Sequence, residues 1–352
     1  MKRKSSYFAV FSLLVSFAYC ALVSEAQAKD VFIVHSYTLD NICGEPQHQG
    51  VLESLTEAGF VEGENLTVHK YAMKTKKVNN TPELIDKQAE IVLEKVKSVK
   101  PDVLVLLDDN AFRTVGLKLV DTDIDIVFCG MNGQPEDYDR KVKWMDSRAE
   151  PGHNITGVYE KLHFIDACRV QKKILPGLEK MLVVSDKSPT GKAVLKQVNK
   201  EIIESGSGLG IEFETRIASS WEEYTAILKQ ACADSSIGTI YPAATLLTDS
   251  KGKSRSTSEI IEWTVANCLK PGISINYSFA RLGMLGGAGV DFIAMGRQAG
   301  EMVVLIMKGT SPGDIPVEEA ERYALVFNLK RARKLGMEIP TDILMAADVV
   351  YK

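Results

Sequence analysis

The sequence predicts an α/β protein built from two doubly wound parallel-sheet lobes. The chain has 352 residues, 45% of them hydrophobic, which is enough for two compact cores. From Asp30 onward, short β-branched runs alternate with amphipathic segments, a pattern typical of parallel sheets flanked by helices. The same rhythm restarts after residues 151–154, which we interpret as a crossing between the lobes.

The first lobe is predicted to follow a βαβαβαβ order. Gly59 ends its first helix, and Pro82 stands in the first turn of its second helix. The run 102–107 is apolar almost throughout, which indicates a buried central strand. The predicted strands are 31–34, 66–68, 102–107 and 124–128, and the predicted helices are 50–58, 81–99 and 110–119.

The second lobe repeats the alternation of helix and strand. Its glycine-rich segment 206–210 follows a helix and precedes a strand, which is the reverse of the order in a phosphate-binding loop, so it predicts a turn. Gly272, after Pro271, marks the end of the last helix. The predicted helices are 164–174, 190–205, 221–233 and 258–269, and the predicted strands are 181–184, 211–213, 238–241 and 273–276.

Residues 1–28 are predicted to be a signal peptide. Basic residues at positions 2–4 precede an apolar run over residues 7–23, which leads to a small-residue cleavage signal ending at Ala28. A membrane anchor is the alternative, but the run is short and is interrupted by Ser12 and Ser16. We therefore expect a periplasmic protein released after Ala28.

Composition disfavours several classes of function. The formal net charge is only −4 and no basic stripe is present, so we expect no nucleic-acid partner. No nucleophile–base, metal or dinucleotide motif occurs, so we expect neither catalysis nor a cofactor or metal. Five widely spaced cysteines follow Ala28; one pair could form a disulfide in the periplasm, but free thiols fit equally well and the sequence identifies no pair.

Candidate ligand-binding residues follow the strands. In open parallel sheets, pockets form beyond the carboxyl ends of the strands, where helix N-termini also point. Each candidate also has a structural alternative as a helix cap, a turn residue or a core aromatic side chain. The candidates are Ser36, Tyr37, Asp109, Asn110, Asn132, Asp186, Ser188, Thr190, Tyr241, Asn276 and Tyr277.

Several segments together resemble one family. Residues 35–40, 55–65, 151–158 and 283–291 are similar, in order and spacing, to periplasmic ABC transporter substrate-binding proteins linked to uptake of aromatic amino acids and related solutes. The resemblance implies a type I periplasmic binding fold with a three-strand hinge. It further implies a first lobe of residues 29–153 with a return segment of about 281–310, and a second lobe of residues 154–280 with a C-terminal segment of about 311–352.

The resemblance also implies a function. Such a protein captures a small molecule between its lobes and delivers it to an ABC permease in the inner membrane; a ligand-sensing module that partners a membrane histidine kinase or receptor is the alternative. The chain departs from the family at residues 109–112, where Thr-Pro-Ala-Ala is frequent, and at 242–245, where a Pro-Thr-Asp-Asn-like stretch is expected. A carboxylate at Asp109 would repel an anionic ligand group and favour an ammonium, a hydroxyl or an amide donor. The expected solute is amino-acid-like, cationic or hydroxylated.

Overall fold

The computed structural model describes residues 28–76, 78–243 and 246–352, and it has two α/β lobes. The expected signal peptide, apart from Ala28, lies outside these residues. Across these three ranges, no helix combines the length and the apolar character needed to span a bilayer.

The first lobe is a six-stranded parallel sheet in the order β12-β5-β4-β3-β1-β2. It is formed mainly by the first part of the chain, and a later return segment adds one helix and one short strand. The strands are β1 Lys29–His35, β2 Leu66–Ala72, β3 Val103–Leu107, β4 Asp125–Met131, β5 Ile155–Tyr159 and β12 Glu318–Glu319. The helices are α1 Gly44–Glu57, α2 Pro82–Val99, α3 Asp108–Thr114, α4 Pro135–Asp139 and α10 Phe292–Met307.

Helices cover both faces of this sheet because successive strand residues point to opposite sides. On β1, Val31 and Ile33 pack in the same buried cluster as residues of α1 and α10, whereas Phe32 and Val34 pack with residues of α2 and α3. This arrangement explains why the predicted strands are almost continuously apolar. The doubly wound sheet predicted for the first lobe is therefore present.

The second lobe contains a parallel sheet, β7-β6-β8, that continues through single bridges at residues 272–276 into β11-β13-β14. Its strands are β6 Lys180–Asp186, β7 Glu212–Ala218, β8 Thr239–Pro242, β11 Gly286–Val290, β13 Tyr323–Asn328 and β14 Val349–Tyr351, with a separate β9 Leu247–Thr248 and β10 Ser254–Arg255 hairpin. Its helices are α5 Phe164–Ile174, α6 Pro189–Ser205, α7 Trp221–Ala233, α8 Thr257–Asn267, α9 Tyr277–Arg281, α11 Leu329–Lys334 and α12 Thr341–Met345.

Most predicted elements are found, with shifted ends. Ser188 and Ser256 cap α6 and α8 through side-chain bonds to backbone N–H groups, so the caps fix where these helices begin. The glycine-rich segment 206–210 is a turn, as predicted. The first helix begins at Gly44, six residues earlier than predicted, and residues 273–276 make only isolated bridges.

The chain crosses between the sheets three times within the described residues: after β5, after β11 and after β12. The expected lobe limits differ from this assignment. Because β5 pairs with β4, the first crossing follows Tyr159 and not residue 153. Because β11 pairs with β13, the return segment begins near Asp291 and not near residue 281, and it extends past β12.

A disulfide joins Cys232 on α7 to Cys268 just after α8, and so ties two helices of the second lobe together. Cys43, Cys129 and Cys168 are free thiols. One pair and three free thiols among the described residues match the odd cysteine count, and the structure identifies the pair that the sequence left open.

Candidate functional site

A cavity of about 60 Å³ lies between the two lobes, and we call it the inner cavity. It adjoins a wider opening of about 650 Å³, the outer cleft, with which it shares Tyr37, Lys76 and Thr190. Both spaces have walls from both lobes. The inner cavity is lined by Tyr37, Ile42, Cys43, Lys76, Asp108, Asn132 and Glu160 of the first lobe, by Leu162, Thr190, Val194, Ala243, Thr257, Ile275, Asn276 and Phe279 of the second lobe, and by Phe292 of the returning helix.

Two acidic side chains line the inner cavity from the ends of β3 and β5, two strands that flank β4 in the first sheet. Asp108 follows β3 directly and begins α3, and Glu160 follows β5 directly. The backbone at Asp108 is left-handed, with φ of 67°, which is strained for a residue other than glycine. Such strain is concentrated at functional sites, where the surrounding structure holds it in place.

Both carboxyl groups are buried without a hydrogen-bond partner among the described residues. Asp108 is 4% exposed and Glu160 is 6% exposed. Burial, followed by repulsion from Asp109, raises the pKa of Asp108 to about 8. Burial, followed by repulsion from Asp108, also raises the pKa of Glu160 well above its usual range. The cavity thus destabilises the negative charge that these two groups carry when ionised.

Asp109, the next residue, has a different environment. Its carboxylate accepts hydrogen bonds from the backbone N–H groups of Asn132 at 3.2 Å and Gly133 at 3.3 Å, and from the hydroxyl of Tyr138. These bonds tie the start of α3 to the loop after β4. Asp109 lines the outer cleft, but its oxygens are already used within the protein.

The cation that lines the inner cavity is Lys76. Its ammonium lies 5.1 Å from the centre of the Tyr37 ring, and it takes part in no ion pair among the described residues. Its charge opposes the rise in pKa at Asp108 and Glu160. Burial and the charge of Asp108 raise the pKa of the neighbouring Cys43 thiol, so this cysteine is protonated at neutral pH.

Seven of the eleven candidates from the sequence lie at this junction of the lobes. Tyr37, Asn132, Thr190 and Asn276 line the inner cavity, and Asp109, Asn110 and Ser188 line the outer cleft. Several of them also have a structural role. Ser188 and Asn276 cap helices with their side chains, and the Asn110 side chain donates a hydrogen bond to the Thr75 hydroxyl at 2.9 Å. Capping and a place at the cleft therefore coexist.

The other four candidates lie away from the cavity lining. Ser36 is buried and bonds to the backbone of Leu107 and Ala111, which joins β1 to the start of α3. Asp186 is also buried, and it accepts from the backbone of Ser188 and Leu246. Tyr241 is fully buried, with its ring 4.9 Å from that of Phe164. Tyr277 packs edge-on against Phe292.

Sequence reasoning missed three charged groups that line the inner cavity: Lys76, Asp108 and Glu160. Asp108 directly precedes the candidate Asp109. A signal for Glu160 was available, because a polar residue directly after a β-branched run at the carboxyl end of a parallel strand is a candidate by the same rule that selected the others. Lys76 lies in the loop after β2 and has no comparable signal.

The sequence profile of the ABC transporter substrate-binding protein family matches residues 39–351. A tyrosine-binding protein of Clostridioides difficile is 21% identical over 300 residues, which cover 82% of this chain and 76% of the relative. These matches span both lobes and the cavity between them.

Solved structures show the same fold. The ABC domain in complex with L-Trp from Streptococcus pneumonia has a TM-score of 0.69 at 16% identity, and the match covers 92% of this chain and 100% of that structure. A ligand-free, open substrate-binding protein with adhesive properties from Clostridium difficile has a TM-score of 0.66 at 17% identity, with the same coverage. The predicted type I periplasmic binding fold is thus confirmed, and the chain belongs to the ABC transporter substrate-binding protein family.

Proposed function

We propose that this protein is an extracytoplasmic solute-binding protein that captures a small molecule between its lobes and delivers it to an ABC permease in the inner membrane. The inner cavity carries this proposal, because both lobes line it and it contains two buried carboxyl groups without hydrogen-bond partners among the described residues. Family membership supports the permease as partner.

The proposed mechanism is a shift between open and closed arrangements of the lobes. A solute that contacts both walls of the cavity binds the closed arrangement more tightly, and so increases its population. Lys196 on α6 and Asp137 on α4 form an ion pair of 2.6 Å between the lobes, which supports closure. The step requires no bond to be made or broken, and no cofactor or metal.

The tyrosine-binding relative and the L-Trp complex support a solute that carries an ammonium group, as both of these amino acids do. Two acidic groups beside Lys76 suit such a group better than an anion. Export through a signal peptide of residues 1–28 would place this site in the periplasm, where the protein would bind its solute.

Native mass spectrometry of the protein purified from its own host tests capture. We expect a retained small molecule, and we expect that solute at a hundredfold excess over its dissociation constant to stabilise the fold by about 2.7 kcal/mol. Absence of any retained or stabilising solute, or chemical turnover of the solute, contradicts capture.

Deleting the gene tests delivery to the permease. Uptake of the solute by the cells should fall, and unchanged uptake contradicts the importer role.

A further inference from the structure

We infer that the captured solute is an amine whose ammonium group enters the inner cavity and whose adjacent carbon carries no carboxylate. This inference rests on the proposed function and names the class of solute. It begins from the two unpartnered carboxyl groups. Asp108 and Glu160 are each more than nine-tenths buried, yet both line the cavity between the two lobes.

Two other carboxylates near the junction of the lobes accept hydrogen bonds from within the protein. Asp109 accepts from two backbone N–H groups and a hydroxyl, and Asp186 accepts from two backbone N–H groups. The groups at Asp108 and Glu160 differ because their oxygens face the cavity. A ligand that donates hydrogen bonds to these oxygens favours the ionised carboxylates, so we expect the donors to come from the solute. An ammonium has three N–H donors and can bond to both carboxylates at once.

The charges around the cavity favour a cation over a zwitterion. Asp108, Glu160 and the adjacent Asp109 contribute negative charge, whereas one lining cation, Lys76, opposes them. Burial and repulsion from neighbouring acidic groups raise the pKa of both carboxyl groups in the unliganded cavity, and a bound ammonium favours their ionised form. Two carboxylates then face two cations, Lys76 and the ligand, and the charges balance. An α-amino acid brings in a third carboxylate one carbon away from its ammonium, which leaves an excess of negative charge.

The size and lining of the two spaces also fit an amine. The inner cavity, at about 60 Å³, suits a head group better than a whole aromatic amino acid. Ile42, Leu162 and Phe279 line it beside the acidic groups and suit the methylene next to the ammonium. The outer cleft, at about 650 Å³, has room for the body of the solute.

Calorimetric titration at pH 8 with matched pairs tests this inference. The pairs are tyramine with tyrosine, tryptamine with tryptophan, cadaverine with lysine, and agmatine with arginine. We expect at least one amine to bind at least tenfold more tightly than its amino acid. Asp108→Asn and Glu160→Gln should each weaken that amine at least tenfold, while Glu64→Gln, an exposed carboxyl far from the cavity, should leave it unchanged.

Asparagine tolerates left-handed backbone, so Asp108→Asn should fold, and its melting temperature checks this. Amino acids that bind as tightly as their amines, or a panel in which no amine binds, would overturn the inference. The solute retained in native mass spectrometry separates the two proposals. A retained solute without an amine overturns this inference but leaves capture intact, whereas no retained or stabilising solute counts against both.

Discussion

Asp108 and Asp109 are neighbours in sequence, yet their side chains have opposite environments. The carboxylate of Asp109 is bonded within the first lobe, whereas that of Asp108 is buried at the cavity without such bonds. The sequence predicts that polar groups follow the third strand, but it does not distinguish the two aspartates. Asp108 also has a left-handed backbone, which the local sequence does not indicate.

Asp108→Asn should stabilise the unliganded protein in a pH-dependent way. The pKa of Asp108 is raised from 3.8 to about 8 in the folded protein. Below pH 4 the carboxyl is protonated in both states and contributes nothing. Between pH 4 and 8 it ionises more readily in the unfolded chain, so the free energy of unfolding falls as pH rises. The melting temperature of the variant should therefore exceed that of the parent by a margin that grows up to about pH 8; a constant margin contradicts the assignment.

Asp109→Ala should reduce stability first, because it leaves the N–H groups of Asn132 and Gly133 without their acceptor. The expected loss is about 1–3 kcal/mol in chemical denaturation. Tyr138→Phe is the matched control, since it removes one donor to Asp109 and keeps both backbone bonds. A smaller loss for the tyrosine variant is expected, and equal stability of Asp109→Ala and the parent would show that these bonds contribute little.

At the scale of elements, the returning helix α10 lies very close to α1. A Cβ atom at Gly50 would lie 2.2 Å from the carbonyl oxygen of Ile293, and one at Gly296 would lie 2.1 Å from that of Gln47. Arg297 also pairs with Glu53 at 2.8 Å across the same contact. Glycine is thus required where the two backbones meet, and this contact anchors the return segment to the first lobe.

Gly50→Ala should separate these helices and destabilise the protein by about 1–3 kcal/mol, despite the better helix propensity of alanine. Gly177→Ala is the control, because no atom lies within 4 Å of its added Cβ. Chemical denaturation of both variants measures the difference. A Gly50→Ala variant as stable as the control would show that the helices can move apart freely.

The alternation of apolar runs predicted most helices and strands, because their packing follows local periodicity. It did not predict β5, a strand that contains Gly157 and directly follows residues 151–154, which were interpreted as the crossing between lobes. Gly157 lets the backbone of Phe128 approach to 2.2 Å from where a Cβ would lie, and that contact is long-range. Missing β5 also meant missing Glu160 at its end, so one error in the fold produced one in the site.

At the scale of the whole molecule, ion pairs join parts of the chain that lie far apart in sequence. Lys196 on the second lobe contacts Asp137 on the first, and Lys161 contacts Glu319 at 2.7 Å between the first and third crossings. The alternation of strands and helices predicted two lobes with a crossing at residues 151–154, and the family resemblance implied three crossings. Which sheet each crossing joins depends on strand pairing, which local patterns do not encode.

Lys196→Ala should favour the open arrangement and weaken solute binding. The pair is partly exposed, so its loss should cost about 0.2–1 kcal/mol, or up to about fivefold in the dissociation constant. Lys200→Ala, on an exposed position of the same helix, is the control. Calorimetry at low and high salt should show that the difference in affinity between the two variants becomes smaller as the salt concentration rises. Equal affinities of the two variants would show that the ion pair does not contribute to closure.

Small-angle X-ray scattering of the purified protein, with and without the solute it retains, tests the central claim most directly. Closure of two lobes around a bound molecule predicts a smaller radius of gyration when the solute saturates the protein. An unchanged radius of gyration at full occupancy, as measured by calorimetry on the same sample, would contradict a site that closes between the lobes.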